Sequence, residues 1–141
     1  MNELFSVKDR VVVITGGTGV LGACIGEYLA KQGAKVVLMG RRKEEGDRIV
    51  DKIRAEGGEA MFLVTDVMNP EVVQKNCDDI IAAYGRVDAL LNAAGGNMPG
   101  ATIAPTGTIF DIKVEEFQKV LNVNLTGTVI PTQISVSYTH L

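Results

Sequence analysis

The chain has 141 residues, 46% of them hydrophobic and 22% charged, with 16 glycines and no tryptophan, which is the composition of one ordinary folded domain. A net charge of −3, with a pI near 5.1, lacks the electrostatic footprint of a nucleic-acid binder, so any anion must be gripped locally by backbone amides and a few side chains. No run approaches the roughly eighteen apolar residues of a membrane helix, and residues 1–9 show neither a signal-peptide core nor an Arg-rich transit pattern.

Two hydrophobic periods alternate along the chain. Residues 10–15 (RVVVIT) form a continuous β-branched run, as expected of a strand buried on both faces of a parallel sheet. Glycines follow, then Val20, Leu21, Cys24, Ile25, Tyr28 and Leu29 recur at helical spacing, which predicts an apolar stripe, and Gly33 supplies a left-handed stop. Residues 35–39 are a second strand. Residues 43–56 are a charged surface helix with Ile49, Val50 and Ile53 on one side, ended by Gly57-Gly58. Residues 60–64 are a third strand, and after Asp66 and Asn69-Pro70 a helix carries Val72, Val73, Cys77, Ile80, Ile81 and Tyr84. Residues 88–92 are the fourth strand, followed by a Gly-, Pro- and Thr-rich loop from Gly95 to about Thr108. A last helix begins near Val114 and continues at least to Val129. Cys24 and Cys77 have no paired spacing for a disulfide or zinc site and fall on predicted apolar stripes, so both are expected to be core thiols in a reducing cytoplasm, with no metal bound.

This alternation predicts βαβ units on a parallel sheet, an α/β sandwich with its ligand at the carboxyl ends of the strands. Gly17-Thr18-Gly19-Val20-Leu21-Gly22 satisfies G-x-G-x-x-G directly after a strand and at the opening of a helix. That context suits a pyrophosphate: a tight turn, a backbone without Cβ atoms in the way, and a helix N-terminus with unpaired N–H groups. A glycine-rich turn without ligand is the bland alternative, and a P-loop is excluded because no Gly-Lys-Ser/Thr follows. At the end of the second strand, where an acid would accept from a ribose 2′-hydroxyl, the chain has Gly40 and then Arg41-Arg42. Two cations and no acid favour NADP(H), with NAD(H) as the other candidate, unless the arginines are merely solvated charges.

Four segments, in order, resemble the short-chain dehydrogenase/reductase family. Thr15-Gly16-Gly17-Thr18-Gly19-Val20-Leu21-Gly22 resembles its cofactor turn, and Asp66-Val67 the pair that holds adenine. Asn92-Ala93-Ala94-Gly95 is similar to the Asn-Asn-Ala-Gly segment on the inner ribose and nicotinamide side, and Asn122-Val123-Asn124-Leu125-Thr126-Gly127 to the helix whose Asn belongs to the catalytic tetrad. The resemblance implies a Rossmann-type doubly wound parallel sheet, truncated to about four strands, and a nicotinamide-dependent interconversion of a carbonyl and a secondary alcohol on a small molecule. It implies Asn124 as the catalytic Asn, shaping a helix whose backbone holds a relay water, and a homodimer or homotetramer formed through the helix near Val114. Val20 stands where the single-domain branch usually has Gly, a spacing common in the extended branch of sugar-nucleotide epimerases. The loop after Gly95 further resembles the sugar-acid reductases of the D-mannonate oxidoreductase (fructuronate reductase) type.

The family runs to roughly 250 residues as one domain. The resemblance covers residues 10–133, so residues 1–133 are expected to be the cofactor-binding half of one domain. The Tyr-x-x-x-Lys proton donor and the Ser are absent; Tyr138 is followed only by Thr139, His140 and Leu141, and His140 is expected to be tail. Residues 134–141, Ser/Thr-rich and β-branched, continue a helix poorly and suggest a non-native or disordered tail on a truncated chain, inactive alone, with a bare fourth-strand edge and a tendency to aggregate. A non-catalytic NADP(H)-binding sensor or scaffold is the rival reading, and an extended-branch epimerase a third.

Overall fold

The computed structural model describes residues 3–139. Four strands, β1 (Val11–Thr15), β2 (Lys35–Gly40), β3 (Glu59–Val64) and β4 (Ala89–Asn92), form one parallel sheet in the order β3-β2-β1-β4. Val13 lies between Val37 on one side and Leu90 on the other. Helices α1 (Val20–Lys31) and α2 (Lys43–Ala55) cover one face, where Val12, Ile14, Val36 and Leu38 meet Ala30, Ile49, Val50 and Ile53. Helix α3 (Pro70–Tyr84) covers the other, where Val11, Val13, Val37 and Met39 meet Ile80. Both side-chain rows of β1 and β2 are therefore buried, which is why those strands are continuously apolar instead of alternating. The order is that of the doubly wound α/β fold.

Helix α1 departs from the predicted stripe. Its buried residues are Gly22, Gly26 and Ala30, whereas Val20, Leu21, Cys24, Ile25 and Tyr28 face outward. The reason is distance. A Cβ at Gly26 would lie 2.9 Å from Leu38 Cδ2, so the helix packs on the sheet through its smallest residues, and of the predicted stripe only Leu29, half-buried, packs against the core. Cys24 is consequently an exposed thiol rather than a core one; Cys77 is buried as expected. Burial raises the Cys77 thiol pKa, against the opposing pull of the Ser135 hydroxyl 3.7 Å away.

The last helical run is α4 (Val114–Leu121), a π turn (Asn122–Thr126) and α5 (Gly127–Thr139). Helix α5 continues through residues 134–139, the stretch that reads in the sequence as a poor helix continuation. Ser135 is buried against α3, and Tyr138 bonds Asp78 and Gln74, so packing offsets the weak helix propensity of this stretch. His140 and Leu141, assigned to the tail from the sequence, lie outside the described residues.

At the amino end of the sheet, Asp88 ties β1 to the start of β4. Its carboxylate accepts from Val11 N–H at 2.9 Å, from Arg10 Nη1 at 3.0 Å, and from Arg86. Burial works to raise its pKa, but these donors outweigh burial and leave it below the usual aspartate value. A depressed folded-state pKa gives stability that is fully present above the unfolded value near 4 and lost as pH falls through the folded one. Asp88→Asn should therefore reduce unfolding free energy by ~1–3 kcal/mol at neutral pH. In urea titrations the gap from wild type should narrow progressively as pH falls below about 4; a gap that does not narrow there would contradict this account.

Candidate functional site

The turn between β1 and α1 is built by backbone contacts that leave no room for side chains. Gly16 has φ +66°, and a Cβ there would lie 2.4 Å from the carbonyl oxygen of Ala93. Gly17 N–H donates to Met39 O at 3.0 Å, and Gly19 N–H to Gly16 O at 2.9 Å. A Cβ at Gly22 would sit 2.5 Å from that same Gly16 oxygen. Ala23 N–H to Gly19 O is the first helical bond, and Gly19 offers no side-chain cap, so the N–H groups of Val20, Leu21 and Gly22 have no helical acceptor. The helix thus begins with uncompensated donors and partial positive charge.

A cleft of about 430 Å3 opens at the carboxyl ends of all four strands. The predicted residues Gly16, Thr18, Gly19, Arg41, Arg42, Asp66, Val67, Ala93, Ala94 and Gly95 line it. Thr15, Gly17, Val20, Leu21, Gly22, Asn92 and Asn124 do not. Thr15 is buried, its hydroxyl accepting from Ala94 N–H at 3.2 Å, which holds the chain after β4 beside the glycine turn. Val20 and Leu21 are 89% and 74% exposed, so only their backbone faces the turn. Asn92 instead donates to Thr132 Oγ1 at 2.9 Å, joining β4 to α5, while its Oδ1 is buried without a partner among the described residues.

Asn124 lies in the π turn and is exposed, yet both its amide nitrogen and its amide oxygen are engaged. Nδ2 donates to Gly96 O at 2.7 Å and to Val120 O at 2.8 Å, and Oδ1 accepts from Gly96 N–H at 3.3 Å. A Cβ on Gly95 would lie 2.6 Å from Asn124 Oδ1. Asn124 therefore fixes the loop after β4 to the helix. Asp66 uses Oδ1 to accept from Met68 N–H at 3.0 Å, so its turn-forming role is present alongside its place in the cleft.

Met39, Gly40, Thr65, Met68, Met98 and Val123 also line the cleft and were not among the candidate binding residues. Thr65 is held by Asn76, whose Nδ2 donates to Thr65 Oγ1 at 2.8 Å and Val64 O at 3.0 Å. Asn76 is a buried amide within the apolar face of α3, and that misfit of polarity was the available signal.

Comparison with known proteins agrees with this geometry. A family model described as short chain dehydrogenase matches residues 10–139. The uncharacterized oxidoreductase UxuB of Bacillus subtilis (strain 168) is 35% identical over 137 residues, covering 92% of this chain and 49% of that protein. Sorbitol-6-phosphate 2-dehydrogenase of Klebsiella pneumoniae is 32% identical over 140 residues, covering 94% and 48% respectively. The crystal structure of a provisionally assigned D-mannonate oxidoreductase from Haemophilus influenza, with bound NAD, superposes with a TM-score of 0.86 at 29% identity, covering 94% of this chain and 51% of that one. The chain thus spans about half the length of the curated relatives it matches.

Asn124→Ala removes two hydrogen bonds between the loop and the helix and a third to Val120 O within the helical run. It should lower stability by ~1–3 kcal/mol and make residues 95–100 the first site cut in limited proteolysis. An unchanged cleavage pattern would show that the loop is held by other contacts.

Proposed function

The chain belongs to the short-chain dehydrogenase family, and from that premise we propose that it is the dinucleotide-binding half of an NAD(P)-dependent oxidoreductase interconverting a carbonyl and a secondary alcohol. The observation that carries the reading is the side-chain-free turn opening α1 at the mouth of the four-strand cleft. Gly16 and Gly19 leave the backbone accessible there, and the N–H groups of Val20, Leu21 and Gly22 suit a diphosphate. Thr15, Gly17 and Gly22 keep the bend in shape. Gly40 brings no carboxylate, and Arg41 and Arg42 bring positive charge to the same wall, which favours the 2′-phosphate of NADP(H) over the free hydroxyl of NAD(H).

Asp66 and Val67 would flank adenine, and Ala93, Ala94 and Gly95 the inner ribose and nicotinamide side, with Asn92 bracing them from behind. Bound there, the nicotinamide supplies or accepts a hydride. Asn124 takes the tetrad role: its side chain holds the π turn on Gly96, and its backbone carbonyl, which already accepts from Thr128 Oγ1 at 2.9 Å, has a second lone pair for a relay water. The general acid would lie in sequence beyond this half-domain. The likeness to a sorbitol-6-phosphate dehydrogenase and to a protein described as a D-mannonate oxidoreductase supports a polyol or sugar-acid substrate such as fructuronate or mannonate. Exposed Val114, Phe117, Leu121, Leu125 and Val129, on a helix without a charged side chain from residue 120 to 139, support assembly as a homodimer or homotetramer. No helix among the described residues is long and apolar enough to cross a membrane, and exposed Cys24 suits the reducing cytoplasm. Val20 points to solvent without disturbing the glycine turn, so it lends no weight to the epimerase reading.

Fluorescence titration of the folded chain should give an affinity for NADPH at least ~10-fold above that for NADH, and Gly19→Val should weaken both by at least ~10-fold with circular dichroism unchanged. Failure of both cofactors to bind, or an indifferent Gly19→Val, would overturn the reading.

A further inference from the structure

The two arginines after β2 differ in what they touch. Arg42 Nη2 donates to the backbone carbonyl of Thr18, within the glycine turn. The other end of the same peptide unit is also held, since Gly19 N–H donates to Gly16 O at 2.9 Å. The Thr18 side chain packs into the notch at Gly40, where a Cβ would lie 3.0 Å from Thr18 Oγ1. With the bond from Gly17 N–H to Met39 O, residues 39–42 therefore grip the turn at three points. Arg42 is itself anchored as the residue preceding α2, its carbonyl accepting from Gly46 N–H at 3.0 Å. Arg41 lines the same cleft, is exposed, and has no hydrogen-bond or ion-pair partner among the described residues.

We propose that Arg42 is a positioning residue that pins the Thr18–Gly19 peptide, and that Arg41 alone reads a 2′-phosphate. The inference rests on the dinucleotide reading above. Its physical basis is the carbonyl dipole. A free peptide at this point could rotate and turn the Thr18 oxygen toward the phosphates, where two negative ends would repel; the guanidinium covers that oxygen and holds the plane. Arg42 therefore acts on the diphosphate site, common to both cofactors, and Arg41 on the group that distinguishes them. A guanidinium engaged by a carbonyl has fewer free donors for a bidentate grip on phosphate, which leaves that task to its neighbour.

The test compares Arg41→Ala, Arg42→Ala and Arg42→Lys by titration with NADPH and NADH, and by hydrogen exchange of residues 17–20 without cofactor. Arg41→Ala should weaken NADPH at least ~10-fold and leave NADH within about twofold. Arg42→Ala should weaken both by a similar factor, about three- to thirtyfold, so that their ratio changes less than about twofold. Arg42→Lys, which keeps one donor for one carbonyl, should recover part of the loss. In the free chain, exchange across the turn should accelerate in Arg42→Ala and not in Arg41→Ala. A selective loss of NADPH in Arg42→Ala, or unchanged exchange, would overturn the proposal. Should wild type bind neither cofactor, the proposed function fails, while the exchange comparison still decides the role of Arg42.

Discussion

Gly22 lies against the carbonyl of Gly16, and a single methyl group at that point would come within 2.5 Å of the oxygen. Most of what is distinctive in the molecule depends on that closeness. It draws the start of α1 down onto the end of β1, so that the first unpaired N–H groups of the helix are presented at the sheet's carboxyl edge. It also decides which face of α1 is buried, because Gly26 and Ala30 continue the same row of minimal side chains. The row on the sheet beneath is the opposite, with Ile14, Val36 and Leu38 supplying the bulk that the helix lacks. Packing density is kept by exchanging large for small across the interface.

The parts legible from sequence were those where burial leaves an unambiguous pattern. Strands β1 and β2 are covered on both faces, so their apolar runs could not be confused with a half-solvated strand. The glycine turn was legible because its need for absent Cβ atoms is written in the residues themselves. The orientation of α1 was not, since hydrophobic periodicity gives glycine almost no weight and assigns the stripe to the largest side chains. Nor was the contribution of Met39 and Met98, whose cleft position comes from strand register and loop path. Asn76 and Ser135 show the same limit: each is a polar residue whose partner is distant in sequence, and only the fold brings Thr65 or Cys77 to it.

Behind the cleft a polar ladder runs up the last helix. Asn92 reaches Thr132, Thr132 bonds the carbonyl of Thr128 at 2.7 Å, Thr128 bonds that of Asn124 at 2.9 Å, and Asn124 grips Gly96. Residues four apart stack on one side of a helix, so the sequence places these three in line, and the strand end supplies the anchor. Threonine hydroxyls that bond carbonyls one turn back loosen regular helix geometry, and the π turn lies where this ladder meets the loop. The segment that closes the cleft is thereby coupled to β4 by polar contacts, whereas the glycine turn lies close against the end of β2, where Gly17 N–H meets Met39 O and Gly40 leaves room for Thr18. One wall of the site is set by donors and acceptors, the other by the absence of atoms.

The outward turn of α1 gives Cys24 a practical meaning. It stands on the solvent side, in the first turns of the helix that the glycines open, while Cys77 is shielded beneath α5 with its ionisation suppressed. Thiolate chemistry follows exposure and ionisation, so a maleimide dye would attach at Cys24 with strong selectivity over Cys77. The wild-type protein thus carries its own addressable handle about one helical turn from the phosphate-facing bend, suited to optical recording of events in the cleft without engineering a label site.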